Sequence, residues 1–170
     1  AILAAGTQGR LLAREVKPMR VEEQTLADLL ETGELTSDDI PNQGQWSIDA
    51  YLAFDTVCLV EYTDGYLEVL PMPTTTHQFI MLFLYRALYA YVTDRALGEV
   101  LVAPTKVRVA TRRFREPDVL FMPAARMRWQ SVQYWQDIAL AVEVVSPDDP
   151  RRDYQQKRLD YAAAGIEEYW

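Results

Sequence analysis

The chain has 170 residues, 49% apolar and 25% charged, with a formal net charge of −8. That fits one soluble globular domain with a real core and does not require two. The lone cysteine, Cys58, excludes a disulfide scaffold and a cysteine-based zinc cluster and fits a reducing, cytoplasmic setting, while the lone histidine, His77, excludes a His-rich metal site.

Residues 1–45 read as an N-terminal appendage and linker. Leu26, Leu29 and Leu30 suit a short helix ended by Gly33, and SDDIPNQGQ is a loop. The start AILAAGTQGR is too short in apolar length for a signal peptide, and no segment reaches the roughly 20 apolar residues of a membrane span. The compact domain is expected over residues 46–170.

SIDAYLAF suits a short helix. VCLVEYTDGYLEVL reads as two strands joined at Thr63-Asp64-Gly65, because a tight primed turn needs positive φ. The Thr run at 74–76 caps a long helix that Gly98 is expected to stop. Residues 79–85 are apolar without a break, which predicts a helix buried on every side, either within the domain or against a second subunit. EVLVAPTKVRVA alternates as a half-exposed strand, and DVLFM and IALAVEVVS suit buried central strands. AARMRWQSVQYWQ between them reads as an irregular insert. A helix is expected from about Arg151 to Ala164, stopped by Gly165, with IEEYW opening another strand. The order predicts a mixed α/β fold, a sheet flanked by helices.

Charge is unevenly spread. Residues 1–95 hold 6 basic and 14 acidic residues, whereas residues 96–170 hold 11 of each. The second half carries basic clusters at Arg108, Arg112, Arg113 and Arg115, at Arg126 and Arg128, and at Arg151, Arg152, Lys157 and Arg158. They read either as a solvated mixed-charge surface or as a phosphate-binding face on an otherwise acidic protein.

Two acids stand where acids are costly. Asp118 opens the run VLFM directly after Pro117, and Glu143 lies inside ALAVEVVS. A buried carboxylate must be paired, protonated or bound to a cation. Arg115 and Arg126 are possible partners. A divalent cation shared by the two acids is the other solution, and phosphodiester cleavage by a hard metal needs oxygen ligands that converge in this way.

EPDVLF followed by AVEVVSPDDPRRDYQQKRLDYAAAGIEEYW resembles the Uma-type endonuclease family, expanded in cyanobacteria, of the PD-(D/E)XK nuclease superfamily. VEYTDGYLEVLPMPTTTHQ is similar to an earlier segment of the same family, so the resemblance covers about residues 46–170. It implies a restriction-endonuclease-like fold, with an N-terminal hairpin added, and an Mg²⁺- or Mn²⁺-dependent DNA endonuclease. It also implies a chain that continues beyond Trp170. Carried over by position, Asp118 and Glu143 bind the metal, joined by Glu61 and the carbonyl of Val144. Lys157 orients the attacking water or stabilises the pentavalent phosphate, and His77 touches phosphate or a metal-bound water. The lysine that much of the superfamily carries two residues after the second acid is Val145 here; Lys157, with Asp153 and Tyr161 at i−4 and i+4, supplies it from the helix. Where family members often have a glutamate before the histidine, this chain has Thr76. Tyr161, Tyr169 and Trp170 fit the family's closing pattern as packing residues. The rivals are a catalytically silent nuclease fold serving as a DNA-binding or assembly module, and a non-nucleolytic enzyme or small-ligand protein on another α/β fold.

Overall fold

The computed structural model describes residues 42–54, 56, 58–127, 133–146 and 149–170. The helix expected near Leu26–Leu30 lies outside them. Helix α1 (Ile48–Ala53) starts at Ser47, whose hydroxyl accepts from the Ala50 amide. Strands β1 (Val60–Thr63) and β2 (Tyr66–Val69) follow as the expected hairpin. Asp64 and Gly65 turn it at φ 50° and 93°, the left-handed pair of a type I′ turn. Just before α1, the Gln43 side chain bonds both the amide and the carbonyl of Leu67 at 2.8 Å.

Helix α2 (Thr75–Asp94) is capped by Thr74, which accepts from the His77 amide. It stops at Arg95, with Ala96 at φ 51°, not at Gly98. Gly98 instead opens β3 (Gly98–Val102) at φ 151°, where a Cβ would lie 2.0 Å from the Met122 carbonyl oxygen. The expected single strand EVLVAPTKVRVA divides at Ala103-Pro104 into β3 and β4 (Val107–Ala110), which belong to different sheets. Sequence reading also passed over β5 (Arg113–Arg115). Then come β6 (Val119–Pro123), a 3₁₀ turn at Ala124–Arg126, and β7 (Leu140–Val142). A π-helical segment, Arg152–Lys157, runs into α3 (Arg158–Ala163), and β8 (Glu168–Tyr169) closes the chain.

The strands form two four-stranded sheets, β2-β1-β5-β4 and β3-β6-β7-β8. The first is antiparallel throughout. In the second, β7 pairs with β8 in parallel, as a crossover through α3 requires. The hairpin is thus half of the first sheet. The second sheet is covered on both faces, and the period of 2 along its strands sorts the side chains. Val119, Leu140 and Val142 meet α2, while Leu120, Met122 and Ala141 meet Tyr161 of α3 and Val107 and Val109 of β4. In the first sheet, Val60, Tyr62 and Phe114 pack on Trp46 and Tyr51, which leaves Glu61 and Arg115 on the opposite face.

Helix α2 departs from its expected burial. Phe79 and Phe83 are each 69% exposed and Ile80 44%, so only one side of the helix is covered among the described residues. The unbroken apolar run hides a two-faced helix.

Phe114 is fully buried, with Tyr51, Tyr62 and Tyr134 rings at 5.3–6.0 Å. Phe114→Ala is therefore expected to lower unfolding free energy by about 3–5 kcal/mol, read from urea unfolding followed by tryptophan fluorescence.

Candidate active site

The centre forms where the end of β7, the start of β6 and the π-helical segment meet. Alternation along β7 turns Glu143 to the same side as Ala141, toward α3. There Glu143 Oε2 accepts from Lys157 Nζ at 2.7 Å, and Oε1 accepts from the Tyr161 hydroxyl at 2.6 Å. Asp118, just before β6, lies beside it: its Oδ2 accepts from the Val144 amide at 2.6 Å. Asp118 Oδ1 is 2.8 Å from His77 Nε2 of α2. Asp118, Glu143 and Lys157 are all buried. Neither acid pairs with the arginines available on sequence grounds. Arg115 goes to Glu61 and Asp160, and Arg126 goes to Glu167.

Lys157 faces three carboxylates. Besides Glu143, Glu61 Oε1 is 3.4 Å and Asp153 Oδ1 3.5 Å from its ammonium. Asp153, Lys157 and Tyr161 lie on one buried side, as their spacing requires. Glu61 is wholly enclosed. Its Oε2 accepts from Arg115 at 2.9 Å and Arg152 at 2.7 Å, and its Oε1 accepts from the Glu116 amide at 3.2 Å. Arg115 also holds Asp160 at 2.6 Å, and Asp160 holds Arg113 at 2.5 Å. Arg152 also reaches Glu68 on β2 at 3.1 Å.

The protonation states follow from these contacts. Burial would raise the Glu61 pKa, but Lys157, Arg152 and Arg115 outweigh it and bring it down to about 2. Burial pushes Glu143 up to about 8; Lys157 opposes this, while Glu61 and Asp118 add to it. Burial works against the Lys157 charge, yet Glu61 and Glu143 hold its pKa above the ordinary lysine value. Tyr161 is raised by burial and by Glu143, so its hydroxyl stays a donor. Glu116 is pushed up to about 7 by burial and by Glu61.

The five residues expected from sequence thus have definite surroundings. Asp118 with His77 and Glu143 with Lys157 form two contacting pairs, joined by the bond from the Val144 amide to Asp118. Glu61 joins them through Lys157, but its oxygens are engaged by cations and an amide. Among the described residues, no group of three or more His, Cys, Asp or Glu stands in a metal-holding arrangement. Sequence reading gave Tyr161 a packing role and missed its bond to Glu143. It offered Arg115 only as a partner for Asp118 or Glu143 and passed over Arg152 and Asp160 as parts of the centre, although it placed Tyr161 on the Lys157 face by its i+4 spacing.

Among the described residues, a mixed α/β fold of two sheets and three helices, with a carboxylate pair and a lysine at the end of the central strands, defines a restriction-endonuclease-like protein. Residues 49–170 match the Uma2 family, described as "Putative restriction endonuclease", and the chain belongs to that family. In solved structures the chain is similar to a "putative nuclease belonging to DUF820 from Anabaena variabilis", at TM-score 0.57 and 17% identity. That likeness covers 70% of this chain and 66% of the other. No curated protein matches.

Stability depends on pH through the shifted acids. Glu116 and Glu143 bind protons more tightly folded than unfolded, their pKa raised from the ordinary 4.5 to about 7 and about 8. Their contribution is complete below about 4.5 and is lost as pH rises through 7 to 8. Glu61 has the opposite sign: its contribution is present above about 4.5 and lost as pH falls toward 2. Urea midpoints are therefore expected to fall from pH 5 to pH 8, and Glu116→Gln is expected to flatten that slope. A midpoint that climbs over this range contradicts the assignment.

Proposed function

We propose that the chain is an Mg²⁺- or Mn²⁺-dependent DNA endonuclease hydrolysing phosphodiester bonds. The observation that carries this reading is the meeting of Asp118, Glu143 and Lys157 from separate elements, with Lys157 2.7 Å from Glu143 and the Val144 amide 2.6 Å from Asp118. Membership of a family described as "Putative restriction endonuclease" supports the reaction class.

The donor set fits a hard divalent cation. Asp118 and Glu143 offer oxygen ligands, and the Glu143 carboxylate is disfavoured first by burial and then by repulsion from Glu61 and Asp118, both of which a cation relieves. Asp118 and Glu143 would hold the ion, with the Val144 carbonyl as a third oxygen. Glu61 was expected as a further ligand, but its contacts with Arg115, Arg152 and the Glu116 amide suit it to positioning Lys157. A bound ion supplies Lewis-acid polarisation and acidifies water. His77 fixes the Asp118 carboxylate at Oδ1, and Tyr161 fixes Glu143 at Oε1. Lys157, kept cationic, donates to a developing charge on phosphorus-bound oxygen.

Free arginines support DNA as partner. Arg86, Arg151 and Arg158 are exposed and have no hydrogen bond or ion pair among the described residues, unlike Arg112, Arg113, Arg115, Arg126 and Arg152. Two of the three flank Lys157 in the chain, where phosphates would gain the most from them.

One observation favours the silent reading, a nuclease fold that binds DNA or assembles without cutting it. Each acid of the centre already has protein partners. A cleavage assay separates the two. Wild type is expected to nick supercoiled DNA with Mg²⁺ or Mn²⁺, and Lys157→Ala and Asp118→Ala to lose about 100-fold or more. Absence of both cleavage and metal binding in the wild type decides for the silent module; equal cleavage by Lys157→Ala removes that residue from the mechanism.

The reading includes a homodimer through α2, whose Phe79, Ile80 and Phe83 form an exposed apolar face. Light scattering is expected to give twice the chain mass at tens of micromolar, and Phe83→Asp to restore the monomer. A wild-type monomer at that concentration rules the dimer out.

A further inference from the structure

We propose that Lys157 is a displaceable counter-ion: its ammonium and a divalent cation compete for Glu143, and Glu61 with Asp153 forms a second seat that keeps the ammonium in the centre when the cation prevails. The inference rests on Asp118 and Glu143 being the cation-binding pair.

The geometry is asymmetric. Lys157 Nζ makes one short bond, 2.7 Å to Glu143 Oε2, and stands 3.4 Å from Glu61 Oε1 and 3.5 Å from Asp153 Oδ1. A modest shift exchanges the first contact for the other two without leaving the ammonium uncompensated. Glu61 does not follow the lysine, because Arg115, Arg152 and the Glu116 amide fix it. It therefore acts as a stationary anchor.

The partners of the two acids differ in what a cation does to them. Asp118 is held by the His77 ring and the Val144 amide, and Glu143 Oε1 by the Tyr161 hydroxyl. These are hydrogen bonds that occupy part of each oxygen's capacity, and a carboxylate can keep them while it binds a metal. An ammonium on Glu143 Oε2 is different: it carries the same sign of charge as the incoming ion, within a buried site where screening is weak. Electrostatics therefore ejects Lys157 and spares Tyr161. Released from Glu143, the ammonium keeps its counter-charges on one side and turns a donor toward a phosphoryl oxygen. Glu61 and Asp153 are positioning residues on this account, since they act through Lys157.

Mn²⁺ calorimetry on the intact chain tests the competition directly. Lys157→Met is expected to bind Mn²⁺ about tenfold tighter than wild type, a difference of about 1.4 kcal/mol, although it no longer cleaves. Asp153→Asn weakens the second seat and is expected to bind Mn²⁺ several-fold more weakly, an effect that disappears in the Lys157→Met background. Lys157→Met binding no tighter than wild type overturns the displacement, and an Asp153→Asn effect that persists without the lysine overturns the second seat. If Lys157→Met does not fold, Lys157→Gln and the Asp153→Asn single variant carry the same two decisions. Wild type that binds no Mn²⁺ at millimolar concentration instead overturns the cation-binding pair itself.

Discussion

A single buried carboxylate organises the molecule. Glu61 has no exposed surface and lies on β1, on the face opposite the aromatic cluster. A charge there is tolerated only with partners at bonding distance. They come from β5 as Arg115 and from the π-helical segment as Arg152 and Lys157. Satisfying Glu61 therefore draws the last helix against the first sheet. Lys157 and Tyr161 on the same helical stretch then reach Glu143 at the end of β7 in the second sheet. The alternating chain Arg113–Asp160–Arg115–Glu61–Lys157–Glu143 leaves each charge dependent on the next. Breaking a buried pair of this kind costs about 3–5 kcal/mol, because the surviving partner is left uncompensated. Apolar layers tolerate small slides between sheet and helix, but these ion pairs form in one alignment only.

The π-helical turn belongs to the same requirement. Asp153, Lys157, Asp160 and Tyr161 are all buried, while Tyr154 and Leu159 stand 64% and 70% exposed. Widening the helix over Arg152–Lys157 directs Arg152 and Lys157 together toward Glu61. Such insertions are found where a side chain must be re-aimed at a functional site.

Local signals were legible in the sequence and distant pairings were not. Asp64-Gly65 announces its hairpin because few residues take its positive φ, and Thr74 announces α2 because its hydroxyl caps a nearby amide. Asp118 and Glu143 stand out as acids among apolar neighbours. In contrast, β5 is three residues, Arg-Phe-Arg, and looks like an exposed basic turn. Arg115 is buried only because Glu61 and Asp160 lie 54 and 45 residues away in the chain. No window of sequence contains that fact. The two-faced character of α2 was hidden for a related reason: an all-apolar run carries no period to mark which side is covered. The division of β3 from β4 into different sheets is likewise set by partners outside both strands.

The lysine shows what a helical position adds. At Val145 a lysine would follow Glu143 on the same strand edge and arrive alone. Lys157 arrives with Asp153 one turn before it and Tyr161 one turn after, so one helix face carries the ammonium, a second carboxylate for it and the donor that fixes Glu143. Tyr169 of β8 bonds the Asp153 carbonyl at 2.9 Å and ties that helix to the strand following it. The acid pair is set by the sheet and the cation by the helix. Their alignment is therefore a property of tertiary packing, governed by the same buried charge on β1 that joins the two sheets.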